Sequence, residues 1–120
     1  MNNRITELLR SQVNDIWLKI INHPFVTELF NGSLPLEKFK YYVIQDYNYL
    51  ITLTKCQALI ASKLDNPTIM RRVLELAFAD VTTELENYNK LLSSLGLSIN
   101  DAVKARPSPT NIAYMNFLLT

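Results

Sequence analysis

A chain of 120 residues with 48% hydrophobic and 10% aromatic content is long enough for one core, and too apolar to stay disordered. Its two glycines, Gly32 and Gly96, argue against a nucleotide-binding βαβ unit, a phosphate-cradling loop or a turn-rich sandwich. Twelve basic residues against eleven acidic ones leave a net charge of +1, which gives no footprint for nucleic acid, and the lone Cys56 fits a reducing, cytoplasmic setting without disulfides.

Apolar residues at Ile5, Leu8, Leu9, Val13, Ile16, Trp17, Ile20 and Ile21 fall at steps of three and four and predict one long helix. His23-Pro24 ends it, because proline disfavours the α region in the residue before it. A short helix through Val26, Leu29 and Phe30 is expected to close at Asn31-Gly32. Ser33 and Pro35 open a second long helix that runs to about Lys63, with a stripe of Phe39, Tyr42, Val43, Asp46, Leu50 and Leu53. Asp65-Asn66-Pro67 breaks the chain. A third long helix then carries Ile69, Val73, Leu76, Ala77, Asp80, Glu84, Tyr88, Leu91 and Leu95, with Gly96 as its C-cap. A helical turn around Ile99 to Val103, a rigid RPSP loop and a last helix from Pro109 complete the chain. No strand alternation, repeat or low-complexity segment is visible. The expected fold is an all-α bundle forming a single domain over residues 1–120. The last helix reaches Thr120 without a stop signal, which reads as a chain cut within a helix.

The start MNNRITELLR has no signal-peptide run, and no stretch is apolar enough to span a membrane. One histidine and one cysteine make no His/Cys metal cluster. A di-iron bundle needs Glu-x-x-His motifs, which the sequence lacks. The informative anomaly is Asp46. It occupies an apolar stripe, and burial of a carboxylate is costly unless the group is paired. Tyr42 and Tyr49 lie a turn to either side of it. The third helix repeats the theme with Asp80, Glu84 and Tyr88, so two acid- and tyrosine-bearing helices predict a polar pocket in the bundle. The plainer alternatives are that Asp46 caps a neighbouring helix, pairs with a Lys or Arg, or lies at the stripe's edge. His23 reads as a hydrogen bonder at a helix end. Cys56 reads as a buried core thiol, with no histidine beside it to generate a thiolate.

The segment HPFVTELFNGSLPLEKFKYYVIQDYNYL, His23 to Leu50, resembles the signature of the TenA family, which includes thiaminase II. The segment RPSPTNIAY, Arg106 to Tyr114, resembles a later element of the same family, with an acidic helix between the two. The resemblance covers nearly the whole chain and corresponds to the N-terminal half of a longer family domain. It implies the all-α fold of haem oxygenase, with no haem, metal or other cofactor. It further implies hydrolysis of the amine of thiamin-derived aminopyrimidines in thiamin salvage.

By position, the resemblance makes Asp46 the catalytic and substrate-binding carboxyl that meets the pyrimidine ring nitrogen and exocyclic amine. Tyr49 and Tyr114 become walls of the ring site, and Glu84 and Tyr42 supports behind them. The sequence departs from the family at Tyr88, where many relatives carry histidine. Cys56 does not match the family's nucleophilic cysteine, which falls beyond Thr120 together with an acid/base glutamate. The expected partners are a small aminopyrimidine and further copies of the chain, a homotetramer by resemblance, with no nucleic acid and no membrane. The competing readings are a non-catalytic TenA-like module for another heterocycle and an oxidase like that of pyrroloquinoline quinone synthesis.

Overall fold

The structure, a computed structural model, describes residues 4–120, and among these every regular element is helical. In chain order they are α1 (Ile5–Gln12), α2 (Asn14–Ile21), α3 (Pro24–Asn31), α4 (Leu36–Ser62), α5 (Pro67–Ala79), a π-helical turn (Asp80–Glu84), α6 (Leu85–Ser94), α7 (Ile99–Lys104) and α8 (Pro109–Leu119). The all-α expectation holds. No helix among the described residues is long and apolar enough to cross a membrane. The chain forms two compact units, Met1–Lys38 and Phe39–Thr120.

In the first unit the expected single helix is two. At Val13 the backbone leaves the helical region (φ −118°, ψ 23°), and its N–H falls back on Arg10 O. A β-branched residue followed by Asn14 and Asp15 is a weak helical run, and short polar side chains favour a new first turn. Arg10 bridges the break. Its guanidinium donates to Asn14 Oδ1 at 2.9 Å and lies 4.2 Å from the centre of the Trp17 ring. His23 caps α3: its Nδ1 accepts the Phe25 N–H at 3.1 Å, with Pro24 in the first turn. Gly32 ends α3 at φ +78°, a conformation that a side chain disfavours.

The second unit is built on the long α4. Asn66 caps α5 by accepting from Thr68 N and Ile69 N. The expected third helix is interrupted at Asp80–Glu84, where the N–H of Leu85 reaches back five residues to Asp80 O. The local sequence Val81-Thr82-Thr83 accounts for the weakness, because three β-branched residues in a row are poor helix formers. The Thr82 hydroxyl also donates to Phe78 O at 2.7 Å, competing for an α-helical acceptor. Gly96, at φ +73°, closes α6. The Leu97 N–H bonds to Leu92 O at 2.9 Å and the Gly96 N–H to Ser93 O at 3.0 Å. Ser98 and Asp101 form a reciprocal capping box on α7.

The core of this unit joins Val43 and Tyr47 of α4 to Leu92 of α6 and Ala102 of α7. Phe39, Ile51, Leu85 and Leu91 pack around it, and Tyr88 meets Tyr47 edge-on with ring centres 6.2 Å apart. The buried line of α4 therefore runs through residues 39, 43, 47 and 51. The stripe expected from the sequence is shifted by one position around the helix, and that shift leaves Asp46 beside the core. Asn48 ties α7 to α4 by donating to Ala102 O at 3.0 Å.

Candidate active site

A pocket of about 310 Å³ opens between α4 and α8, lined by Tyr42, Gln45, Asp46, Tyr49, Asn111 and Tyr114. Spacing on α4 explains its first wall. Residues 42, 45, 46 and 49 share one helical face, next to the face that carries Val43 and Tyr47 into the core. The second wall comes from α8, where Asn111 and Tyr114 lie three residues apart. Pro109 in the first turn and the Ser108 side chain, which accepts from Asn111 N, start that helix.

Tyr49 and Tyr114 stack face to face, with ring centres 5.3 Å apart and planes within 12°. The Tyr49 hydroxyl is pushed up to about 12, first by its hydrogen bond with the Tyr114 side chain, then by burial, with Tyr114, Asp46 and Cys56 adding to it. Asp46 is half-buried, and burial raises its carboxyl above the usual carboxylate value. Tyr42 is raised by burial and then by the Asp46 carboxylate. The pocket thus holds one carboxyl group whose proton affinity burial raises, beside the raised phenols of Tyr42 and Tyr49. Such a group shares a proton readily with a weakly basic ring nitrogen.

Four of the residues singled out in the sequence are brought together here: Tyr42, Asp46, Tyr49 and Tyr114. The second acidic row is not. Glu84 sits exposed on the π-helical turn, and Tyr88 is engaged in the core. Asp80 is partly buried, and its Oδ2 is inaccessible and has no hydrogen-bond partner. Cys56 is buried on α4 and is not among the residues that line the pocket. His23 is a cap.

Sequence reasoning missed Gln45 and Asn111. Gln45 is 9% exposed and spans the two walls. Its Nε2 donates to Arg106 O at 3.2 Å, and its Oε1 accepts from Ser108 N at 2.9 Å and Asn111 Nδ2 at 3.1 Å. Asn111 Nδ2 also donates to the Gln45 backbone carbonyl at 3.0 Å. Nothing in the local spacing marks either residue, because Gln45 falls outside the expected apolar stripe of α4.

The model of the TENA/THI-4/PQQC family matches residues 10–120. An aminopyrimidine aminohydrolase of Helicobacter pylori is 28% identical over 116 residues, which cover 97% of this chain and 54% of that protein. An aminopyrimidine aminohydrolase of Halalkalibacterium halodurans is 31% identical over 111 residues, covering 92% of this chain and 50% of that protein. A solved TenA homologue from P. horikoshii OT3 superposes with a TM-score of 0.90 at 52% identity, over 94% of this chain and 53% of that one. The fold is accordingly the haem oxygenase-like all-α fold. The chain spans about half the length of these relatives. With a family match across nearly its whole length, the chain belongs to the TENA/THI-4/PQQC family.

Proposed function

We propose that the pocket between α4 and α8 binds the aminopyrimidine ring of a thiamin-derived compound. In this reading the chain supplies the recognition half of an aminopyrimidine aminohydrolase, an enzyme that breaks a C–N bond in thiamin salvage. The observation that carries the reading is the placement of Asp46, a half-buried carboxyl group raised by desolvation at the foot of a stacked tyrosine wall. An aminopyrimidine presents a ring nitrogen next to an amine. One carboxyl group meets both, sharing a proton with the nitrogen and accepting from the amine, which is a charge-assisted bidentate pair. Tyr49 and Tyr114 offer flat apolar faces with polar tips, and Tyr42 borders the carboxyl group.

Protonation of the ring withdraws electron density and makes its substituent carbon a better electrophile. Hydrolysis then adds the hydroxyl of water and releases ammonia. Relatives named aminopyrimidine aminohydrolase support this assignment. Glu84 is proposed as a support at the π-helical turn, acting from outside the lining. The absence of a disulfide, with one cysteine in 120 residues, supports a cytoplasmic setting. Exposed Phe78 on α5 and Phe117 on α8 support a homo-oligomer, proposed as a tetramer.

The experiment is a titration of 4-amino-2-methylpyrimidine into the chain, followed by tyrosine fluorescence. A saturable change that Asp46→Ala removes supports the reading. No saturable change at millimolar pyrimidine overturns it.

A further inference from the structure

We propose that Gln45 and Asn111 form a latch that sets the separation of the two pocket walls, which makes Gln45 a positioning residue for the ligand of Asp46 and Tyr114. The proposal deepens the aminopyrimidine reading and rests on it for the identity of the ligand. The structural part stands on geometry alone.

Gln45 is the one buried polar residue among the described residues. An amide removed from water is destabilising unless its donors and acceptor are met. Here the side chain is met by three partners, all from the 106–111 segment: Arg106 O, Ser108 N and Asn111 Nδ2. Asn111 completes the loop by returning to the Gln45 backbone carbonyl. The same two residues also line the pocket.

Register does the rest. Tyr49 lies four residues after Gln45 on α4, and Tyr114 lies three after Asn111 on α8. Each step moves about one turn along the same helix face. The amide pair and the tyrosine pair are therefore successive rungs between the two helices. Thr52 and Met115 make a further rung, with the Thr52 hydroxyl 3.2 Å from Met115 Sδ. Asp46 sits beside the amide rung and Tyr114 on the next. A shift of α8 relative to α4 would change the gap that a flat ring must fill. Two side-chain amides fix that gap better than apolar contact alone, because hydrogen bonds tolerate little change in distance or angle. The Ser108 N–H is pinned to Gln45 while its hydroxyl caps α8, so the latch fixes both the start of the helix and its rotation.

The test uses the whole chain with ring-labelled tyrosine, read by NMR, and 4-amino-2-methylpyrimidine as the probe. Gln45→Met keeps the shape of the side chain and removes every hydrogen bond it makes. Asn111→Ser breaks the latch from the α8 side, at a less buried position that tolerates change. The expected result is loss of the ring-current shifts and the ring-to-ring cross-peaks of the Tyr49–Tyr114 pair. Helical circular dichroism should be unchanged, and probe affinity should fall at least tenfold. The double variant should lose less than the sum of the two single losses, since both act on the same device. If Gln45→Met does not fold, Asn111→Ser reads the same signals. Intact tyrosine signals and unchanged affinity in a folded variant overturn the latch. Tyrosine signals that respond in a chain whose parent form does not bind the probe leave the latch standing and overturn the aminopyrimidine reading instead.

Discussion

Leu92→Ala is expected to be the most damaging single truncation in the second unit. Leu92 is fully buried, at 0% exposure, and with Val43 it is one of two large side chains buried to this degree among the described residues. It closes the contact between α4 and α6, and its carbonyl accepts the Leu97 N–H that ends α6. Cutting leucine to alanine removes apolar groups worth roughly 2–2.5 kcal/mol in transfer free energy. Its neighbours are held by helix backbones and close the gap only in part, so a cavity term of about 1 kcal/mol adds to this. The expected loss is about 3 kcal/mol, or roughly 10–20 °C in melting temperature for a domain of this size. Urea and thermal unfolding followed by circular dichroism would measure it. At a temperature where the variant remains folded, affinity for an aminopyrimidine should be unchanged, because Leu92 does not line the pocket. A loss below about 1 kcal/mol would refute the reasoning, since it would mean that the α4–α6 contact is not where the core is held.

Asp46→Asn should stabilise the unliganded chain at neutral pH. Burial raises the Asp46 carboxyl above its ordinary value of 3.8, so between that value and the raised one the folded chain binds more protons than the unfolded chain. Stability contributed by this group therefore falls as pH rises through that window, and the whole penalty is present above it. The melting temperatures of parent and variant should converge below pH 3.8 and separate, variant higher, toward pH 7. A lower melting temperature for the variant at pH 7 would contradict this. Cys56→Ala should cost about 1 kcal/mol of packing and leave pyrimidine affinity unchanged. A loss of affinity at constant stability would place the thiol in the site. Leu76, Phe78 and Phe117 are each more than half exposed, so the chain should self-associate in size-exclusion chromatography. A monodisperse monomer would overturn that expectation.

The helix boundaries that depend on nearest neighbours were legible in the sequence. His23-Pro24, Asn31-Gly32, Asn66-Pro67, Gly96 and Pro109 all act where their chemistry places them, because caps and proline work through groups within four residues. Val13 and the π-helical turn were not legible as breaks. Each keeps the helical spacing of apolar residues, and the interruption comes from β-branched and hydroxyl side chains whose competition with the helix is weak and local. Asp46 stood out because a carboxyl group on an apolar stripe is rare. Its true position beside the core required the phase of α4, which Leu92 and Ala102 set from more than 40 residues away. Gln45 was illegible for the same reason. Its partners lie 61 to 66 residues along the chain, and no local pattern joins them. Tyr88, which looked like part of a second acidic face, is absorbed by an edge contact with Tyr47 that spacing alone does not reveal.

The central claim is that Asp46 recognises an aminopyrimidine through a shared proton. Calorimetric titration of 4-amino-2-methylpyrimidine into the parent chain and into Asp46→Asn, at the same pH, tests it most directly. Asparagine fits the same volume, but it does not exchange a proton with the ring nitrogen. A hydrogen bond to a charged partner is worth about 1.5–3 kcal/mol, so the account predicts at least a tenfold loss of affinity in Asp46→Asn while the fold and the Tyr49–Tyr114 stack persist. Equal affinity in parent and variant would contradict it and remove Asp46 from the site.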